Sequence, residues 1–265
     1  MSHRRLSVGA WKGRAVRSAG SLAARARRRR LPQSYRPGTT VLTVSWNSLP
    51  FLSRMLAATR AMSPDGTEIF VVDNDSSDGT REFLAEHDDV RAALMPVNLG
   101  HGVALDVVLP QVDTEYVAVL DVDAFPVSPT WLEQSLAALE SSRITGAHLH
   151  RNFVHPCYLV TRTQLIHRYG LTFAPVGSLA RLEDEAPLFL DVAEALSQRL
   201  IIKFGGSRAM TLVEPTSIRG PGMAGTVFGG LVSHNMYATQ GVHRPAALDL
   251  FVDEFRRYHP DLEHA

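Results

Sequence analysis

Residues 117–123 form an apolar run that ends in two carboxylates, Val-Ala-Val-Leu-Asp-Val-Asp. A run of this kind predicts a buried strand whose last residues lie at the edge of a sheet. Because side chains alternate along an extended chain, Asp121 and Asp123 are expected to point to the same side. Two adjacent like charges are costly unless a cation neutralises them, and oxygen ligands suit a divalent cation. The run therefore predicts a strand end that holds a metal ion.

Strands and helices alternate along the first half of the chain. Apolar and β-branched runs predict strands over residues 39–46, 67–73, 90–95 and 115–121. Helical patterns follow them, over residues 50–61, 78–87, 101–110 and 128–141. Such alternation indicates βαβ units, so we expect an α/β fold with a Rossmann-like, mainly parallel sheet flanked by helices. Ligands of such sheets bind beyond the carboxyl ends of the strands.

The second half of the chain has a weaker pattern. We expect a strand over 153–161, a short helix over 163–169, a helix over 191–204 and a strand over 209–213. Residues 215–242 are rich in glycine and show no clear periodicity. This stretch predicts either a mobile active-site flap or a poorly ordered loop, and the sequence does not choose between them.

The formal net charge of zero hides a strong asymmetry. No Asp or Glu precedes Asp65, whereas the chain carries 27 basic and 27 acidic residues in total. Residues 1–36 are rich in arginine, and we expect them to form a basic, disordered tail on a single domain that spans 37–265. A cationic anchor on anionic lipid is a second interpretation of the tail. Nucleic-acid binding is disfavoured because no reading motif follows the arginines.

The remaining composition argues for a cytoplasmic protein, with peripheral contact on the inner face of the membrane as an option. The lone cysteine, Cys157, has no partner for an internal disulfide, so nothing implies an oxidising compartment. No apolar segment approaches the roughly 20 residues that span a bilayer. The N-terminus lacks the apolar core of a secretory signal.

Two more polar strand tips are expected at the same sheet edge as the two aspartates. Residues 45–47 read Ser-Trp-Asn and residues 73–75 read Asp-Asn-Asp. The cluster at 73–80 does not fit a calcium loop, because no register combines glycine at position six with glutamate at position twelve. The amide of Asn74 offers a donor and an acceptor that suit a uracil or thymine edge, and Trp46 could stack on such a base.

The aspartate pair has rival interpretations. A strand that ends in Asp-x-Asp also opens phosphatases that phosphorylate their first aspartate, but these require a downstream Gly-Asp motif, and the chain contains no Gly-Asp dipeptide. Helix capping or plain surface acidity is the other alternative.

Taken together, these segments resemble the family 2 glycosyltransferases of GT-A fold. The resemblance covers residues 39–140 and rests on Trp46-Asn47, on the run 71–80, on Asn98-Leu99-Gly100-His101-Gly102 and on 120–123. It implies a nucleotide-sugar donor held by residues 37–140 and an acceptor held by residues 141–265. The residues that it implies for the donor are Ser45, Trp46, Asn47, Asp73, Asn74, Asn98, Gly102 and Asp121.

The resemblance also implies a metal site and a catalytic base. Asp121 and Asp123 would hold Mg²⁺ or Mn²⁺, and His234 falls where some relatives place a third metal or diphosphate contact. The family's base is the aspartate of a Glu-Asp pair that opens a helix. Here Asp184 matches the letters and Asp191 matches the position, although Asp191 could instead cap the helix together with Glu194.

We therefore expect an inverting, metal-dependent glycosyltransferase that transfers a hexosyl or deoxyhexosyl group to an acceptor hydroxyl. A UDP- or dTDP-sugar is the favoured donor, and the acceptor is a glycan, a lipid-linked molecule or a small molecule. The alternative is a GT-A-like protein that binds a nucleotide or glycan without catalysis, because the Glu-Asp region departs from the family pattern.

Overall fold

The computed structural model describes residues 31–32, 34–149, 151–175, 178–179, 188–220, 223–236 and 244–262. Most of the predicted tail, 1–30, and the candidate base Asp184 lie outside these ranges.

Thirteen strands are present among the described residues. In chain order they are β1 Arg36–Ser45, β2 Glu68–Asp73, β3 Val90–Leu94, β4 Thr114–Leu120, β5 Ala124–Pro126, β6 Ile144–Ala147, β7 Tyr158–Arg162, β8 Ser178–Leu179, β9 Leu188–Phe189, β10 Met210–Val213, β11 Pro215–Ser217, β12 Thr226–Phe228 and β13 Val232–His234.

The helices pack around these strands. They are α1 Leu49–Met62, α2 Thr80–Ala85, α3 His101–Val108, α4 Trp131–Ala138, α5 Thr163–Tyr169, α6 Glu194–Phe204, the short α7 Gly206–Ala209 and α8 Arg244–Tyr258. Short 3₁₀ turns follow α3 at Leu109–Gln111 and α8 at Pro260–Leu262.

The central sheet has seven strands in the order β10-β6-β7-β4-β1-β2-β3. The pairs β1–β2, β1–β4, β2–β3 and β6–β10 are parallel, and only β7 runs against its two neighbours. Two buried apolar clusters cover the two faces of this sheet, one containing α1 side chains and the other α3 side chains. The predicted mainly parallel α/β sheet flanked by helices is thus confirmed.

Strand β1 lies inside the sheet, between β4 and β2, and its apolar residues contribute to the core on both faces. Its last seven residues are all buried, because a neighbouring strand lies on each side and helices cover each face. The ends of β1, β2 and β4 meet at one edge, since Ser45 pairs with Asp73 and Leu42 pairs with Val119. This edge carries the three polar tips.

A second, antiparallel sheet corrects the prediction of a flap or loop for residues 215–220 and 223–236, whereas the rest of the stretch 215–242 lies outside the described residues. Its order is β11-β12-β13-β5, and three of its strands come from that glycine-rich stretch. Each strand has only three residues, so an alternation of apolar and polar residues had no length over which to show. The sheet joins the first half of the chain through β5, where His234 pairs with Ala124.

Several predicted boundaries in the second half were also wrong. The strand expected over 153–161 begins only at Tyr158, because the preceding residues make turns. The helix expected from Asp191 begins at Glu194, because Ala193 adopts a left-handed conformation at φ +62°. Strand β6 and helix α8 were not predicted. Among the described helices, none has the length and apolar character that a membrane span requires.

Candidate functional site

A cleft of about 740 Å³ opens at the edge where the parallel strands end. Its walls come from both halves of the chain. They include Trp46, Asn74, Asn98, His101, Asp121, Asp123, His155, Asp191 and His234. The structure therefore brings most of the predicted site residues together around one space, as expected for ligands beyond the carboxyl ends of parallel strands.

The tip after β1 presents one aromatic ring to the cleft. Trp46 is 45% exposed, which is unusual for so large an apolar side chain and leaves a ring face available for stacking. Ser45 beside it is fully buried. Asn47 turns away from the cleft, and its Oδ1 accepts a hydrogen bond from the Ser77 amide at 2.7 Å. Of the three residues predicted at this tip, only Trp46 lines the cleft.

Asn74 shapes the wall of the cleft through two hydrogen bonds. Its Nδ2 donates to Asn98 Oδ1 at 3.0 Å, and its Oδ1 accepts from the Leu99 amide at 2.9 Å. Asn98 Oδ1 also accepts from the Gly100 amide at 2.8 Å. The two asparagines thus fix the turn that leads into α3. Asn74 lines the cleft, but its amide group is already engaged with protein groups.

The neighbouring Asp73 is buried within an ion pair. Its Oδ2 accepts from Arg81 Nε at 2.8 Å and from the Ser76 amide at 3.3 Å. Arg81 also donates to the Met95 carbonyl, so it clamps the ends of β2 and β3 together. Asp73 does not line the cleft, and its contacts fix the loop that carries Asn74.

Gly102 lies behind the cleft rather than in it. A Cβ at this position would approach the Phe173 carbonyl oxygen to 2.4 Å, because α3 packs directly against the backbone at 173–174. The residue is buried in the first turn of the helix. Its small size allows a close approach between the two halves of the chain.

Asp121, Asp123 and His234 form a cluster that could hold a metal ion. One ligand atom from each lies within 4.8 Å of the others. His234 Nε2 is 3.2 Å from Asp123 Oδ1 and 3.5 Å from Asp121 Oδ2. Asp121 Oδ1 is buried, with no hydrogen-bond partner within the described ranges. Two carboxylates and one imidazole, with an oxygen left over, fit a cation that prefers oxygen and nitrogen ligands.

Burial and charged neighbours shift the pKa values of this cluster. Burial raises the pKa of Asp121 above its usual value; His101 and His234 counter that rise, and the carboxylates of Asp123 and Asp191 add to it. Burial alone would lower the pKa of His234, but its contacts with Cys157 and Asp123 raise that pKa well above the usual value. A bound cation would favour ionised carboxylates and a neutral imidazole instead.

Asp191 stands at the open side of the cleft. Its side chain is 42% exposed and lies 3.7 Å from the guanidinium of Arg151. The buried Glu194 pairs with Arg151 at 3.0 Å and accepts a hydrogen bond from the Asp191 amide at 2.8 Å. The Glu194 half of the anticipated capping box is therefore present. The Asp191 carboxylate, however, accepts from the Val192 amide and does not cap α6.

The sequence comparison decides the family. Residues 40–169 match the model described as Glycosyl transferase family 2. Residues 40–169 belong to glycosyltransferase family 2. This match runs from within β1 to beyond β7 and therefore includes the ends of the three parallel strands that border the cleft. No curated protein sequence matches the chain significantly.

Solved structures extend the likeness to the rest of the fold. A mannosyltransferase from Pyrobaculum calidifontis, PcManGT, matches with a TM-score of 0.53 at 18% identity, over 94% of this chain and 77% of that chain. TarS 1–349 from S. aureus matches with a TM-score of 0.52 at 15% identity, over 84% and 72%. Glucosyl-3-phosphoglycerate synthase from Mycobacterium tuberculosis gives 0.50 at 15% identity, over 69% and 72%. These likenesses show that the chain has the GT-A fold.

Three residues in or beside the cleft were not predicted. His101 lies with Nε2 3.4 Å from Asp121 Oδ1, and the ring centre of His155 lies 6.1 Å from that of His234. Arg151 holds the segment that carries Asp191. His101 belongs to the loop that carried the family resemblance, so its position beside the aspartates could have been inferred. For His155 and Arg151 the sequence offered no signal, because they lie in irregular turns before β7 that no periodic pattern predicts.

Proposed function

We propose that the protein is an inverting, metal-dependent glycosyltransferase that moves a sugar from a nucleoside diphosphate to an acceptor hydroxyl. One observation carries the proposal: a stacking ring, a cation-binding cluster and a partly exposed carboxylate line the same cleft. Trp46, the Asp121–Asp123–His234 cluster and Asp191 are the corresponding groups.

Asp121, Asp123 and His234 would hold Mg²⁺ or Mn²⁺. PcManGT was solved with GDP-Man and Mn²⁺, and glucosyl-3-phosphoglycerate synthase with Mg²⁺ and uridine diphosphate, which supports a divalent cation in this fold. When bound, such a cation would offset the negative charge that grows on the departing nucleoside diphosphate. The imidazole rings of His101 and His234 lie on either side of the Asp121 carboxylate, with their Nε2 atoms 3.4 and 3.5 Å from its oxygens.

Asp191 is our candidate for the general base. Its carboxylate would accept the proton of the acceptor hydroxyl as that oxygen attacks the anomeric carbon, while the bond from this carbon to the diphosphate oxygen breaks on the opposite face. A single displacement of this kind inverts the anomeric centre and needs no covalent sugar–enzyme intermediate. The exposure of Asp191 at the open side of the cleft supports this role, because an acceptor must enter there. Asp184 is the reserve candidate.

The donor base is proposed to stack on Trp46, with a UDP- or dTDP-sugar favoured. Because the Asn74 amide is engaged with Asn98 and Leu99, its contribution would be to hold the wall of the base pocket. Ser45, Asn47, Asp73 and Gly102 would support that wall from behind. The guanine nucleotide of PcManGT makes a GDP-sugar the main competitor. The transferred group is proposed to be a hexosyl or deoxyhexosyl unit.

The basic N-terminal residues are proposed to give peripheral contact with an anionic membrane. Ten Lys and Arg residues and no acidic residue occur in residues 1–30. Clusters of this kind bind anionic lipid electrostatically. The acceptor would then be a glycan, a lipid-linked molecule or a small molecule presented near that surface.

A thermal-shift screen tests the donor and metal together. Ligand binding to the native state raises the melting temperature, so UDP-, dTDP- and GDP-sugars are compared with and without Mn²⁺. We expect a shift that requires both the cation and a pyrimidine nucleotide, followed by slow release of free sugar. Binding without sugar release from any donor would favour a non-catalytic nucleotide-binding protein. A shift that ignores the cation would contradict metal dependence.

A further inference from the structure

A second pocket lies away from the donor cleft and has the opposite charge. It measures about 240 Å³, and three arginines with one glutamine surround its opening. Tyr169 and Phe204 form its apolar wall. The polar residues are Ser142, Arg143, Arg162, Gln164 and Arg168. The Ser142 hydroxyl already donates to backbone carbonyls, and the other four side chains offer many N–H donors and only one carbonyl acceptor, so the pocket suits an anion.

Aromatic rings hold all three guanidinium groups in place. Arg143 lies 4.9 Å from the ring centre of Phe204, Arg162 lies 4.9 Å from Tyr116, and Arg168 lies 5.7 Å from Tyr169. Stacking uses the flat face of a guanidinium and leaves its N–H edges available for hydrogen bonds. The donors are therefore oriented before any ligand arrives, which lowers the entropy cost of binding.

The positive charge of this pocket is only partly neutralised. Arg162 pairs with Glu115 at 2.8 Å. Within the described part of the chain, neither Arg143 nor Arg168 forms an ion pair with a carboxylate. The ammonium group of Lys203 adds a further charge 4.6 Å from the Tyr169 ring. Two uncompensated guanidinium groups around a small pocket match the geometry and charge of a phosphate group.

The pocket occupies the end of the sheet opposite the donor cleft. Arg162 pairs with Tyr116 near the start of β4, whereas Asp121 follows the end of that strand. The chain also enters the fold at the pocket's end, where Arg36 pairs with Thr114. Nearby, the Tyr35 hydroxyl hydrogen-bonds with His167 Nδ1 on α5 at 2.7 Å. The arginine-rich residues 1–30 are thus connected to the fold at the same end as the pocket.

We propose that this pocket binds a phosphate group, independently of the donor cleft. The phosphate belongs either to the headgroup of an anionic lipid or to a soluble phosphate ester. In both cases Arg143 and Arg168 would donate paired N–H groups to the phosphate oxygens, with Gln164 as an additional donor. The proposal stands apart from the glycosyl-transfer proposal, because it uses none of the cleft residues.

The first test is calorimetry with inorganic phosphate on the full chain. The double variant Arg143→Gln/Arg168→Gln should raise the Kd for phosphate about tenfold or more, since two charge-assisted contacts are lost. The matched control is Arg256→Gln/Arg257→Gln, which removes equal charge from exposed positions of α8. An Arg143→Lys/Arg168→Lys variant keeps the charge and guards against misfolding. Equal phosphate affinity in the wild type and the glutamine variant, or no affinity in either, would overturn the proposal.

The second test distinguishes the two sources of phosphate. Full-length variants are sedimented with phosphatidylcholine vesicles that contain or lack phosphatidylglycerol. If the lipid is the source, the Arg143/Arg168 variant loses more vesicle binding than the Arg256/Arg257 control. Equal vesicle binding together with lost phosphate binding indicates a soluble ester. Equal losses in both variants, with phosphate affinity unchanged, would show that general charge alone acts and would contradict the pocket.

Discussion

The two halves of the domain contribute to the cleft in different ways. In the first half, hydrogen bonds between neighbouring strand tips fix the loops: Asn74 binds Asn98, and Asn47 binds Ser77. In the second half, Asp191 and His234 arrive on separate elements from distant parts of the sequence. Asp191 is partly exposed, and its carboxylate accepts a hydrogen bond from the amide of its neighbour Val192.

This difference suggests a division of tasks. A frame that is already hydrogen-bonded can bind a donor with little loss of conformational entropy. An exposed carboxylate on the other side can meet a variable acceptor and accept its proton. Mutations in the first half should therefore affect donor binding, whereas mutations at Asp191 should affect turnover.

Replacing Asp123 should have the largest effect, because it stands where the two halves meet. We expect Asp123→Ala to lower kcat by about 10³-fold or more, since cation-assisted charge stabilisation is worth several kcal/mol. Steady-state assays with the donor found by the screen, with and without chelator, measure the loss. Asp88→Ala, an exposed aspartate before β3, is the control. Turnover that survives both Asp123→Ala and chelation would contradict metal dependence.

Asp191→Asn should separate chemistry from binding. We expect kcat to fall on the order of 10²–10³-fold, because an amide cannot accept the acceptor proton. The donor Kd from calorimetry should stay close to the wild-type value, since Asp191 lies on the side of the cleft where we propose that the acceptor binds. Near-normal transfer would assign the base to Asp184 instead, and a parallel loss of donor affinity would contradict the division between the halves.

Gly102→Ala should weaken the junction between the halves. The new methyl group would meet the Phe173 carbonyl at 2.4 Å, and backbone cannot move aside as a side chain can. We expect a loss of about 1–3 kcal/mol in the free energy of unfolding, measured by urea titration. Gly206→Ala is the matched control, because a Cβ there meets nothing within 4 Å. Equal stability of the two variants would mean that the contact relaxes.

Asn74→Ala should loosen the frame of the first half. It leaves the Leu99 amide without its acceptor, so we expect the donor Kd to rise about fivefold, corresponding to roughly 1 kcal/mol. The kcat at saturating donor should change little. Calorimetry and steady-state kinetics on the same preparation separate the two quantities. A fall in kcat with unchanged Kd would assign Asn74 to the chemistry.

The smallest effect concerns how acid acts on the second half. Burial lowers the pKa of His259, whose Nε2 donates to the Pro126 carbonyl at 2.7 Å. In the unfolded chain His259 has its ordinary pKa of about 6.5, so it takes up a proton at a higher pH than in the folded protein. The contribution of neutral His259 to the free energy of unfolding is therefore present above that pH and is lost as the pH falls. Urea unfolding midpoints should decline less steeply with acid in His259→Gln; identical slopes would exclude this histidine.

The sequence was sufficient for the parallel core. Strands β1, β2 and β4 contain apolar and β-branched runs, and β1 to β4 alternate with helices, so both their type and their shared edge followed from local pattern. The positions of Trp46, Asp121 and Asp123 at the cleft followed from the same reasoning, because a residue after a parallel strand lies at the binding edge.

The rest depended on contacts that no local pattern encodes. Strands of three residues such as β12 and β13 are too short for periodicity, and the pairing of β13 with β5 spans about a hundred residues of chain. The internal use of the Asn74 amide likewise depends on a turn 24 residues away. A polar side chain at the ligand-binding edge of a sheet can point toward the ligand or bond to neighbouring loops of the protein, and only the folded structure distinguishes the two.

The reversed direction of β7 has a consequence for engineering this fold. Its first residue, Tyr158, pairs with Leu120 beside the aspartates, and its last, Arg162, reaches the arginine pocket. A slip of one residue would turn every side chain of this strand to the opposite face. Inserting or deleting residues within 158–162 would therefore damage both ends of the molecule at once. Chimeras with related proteins should therefore exchange β7 and β4 together, so that the pairing between the two strands is kept.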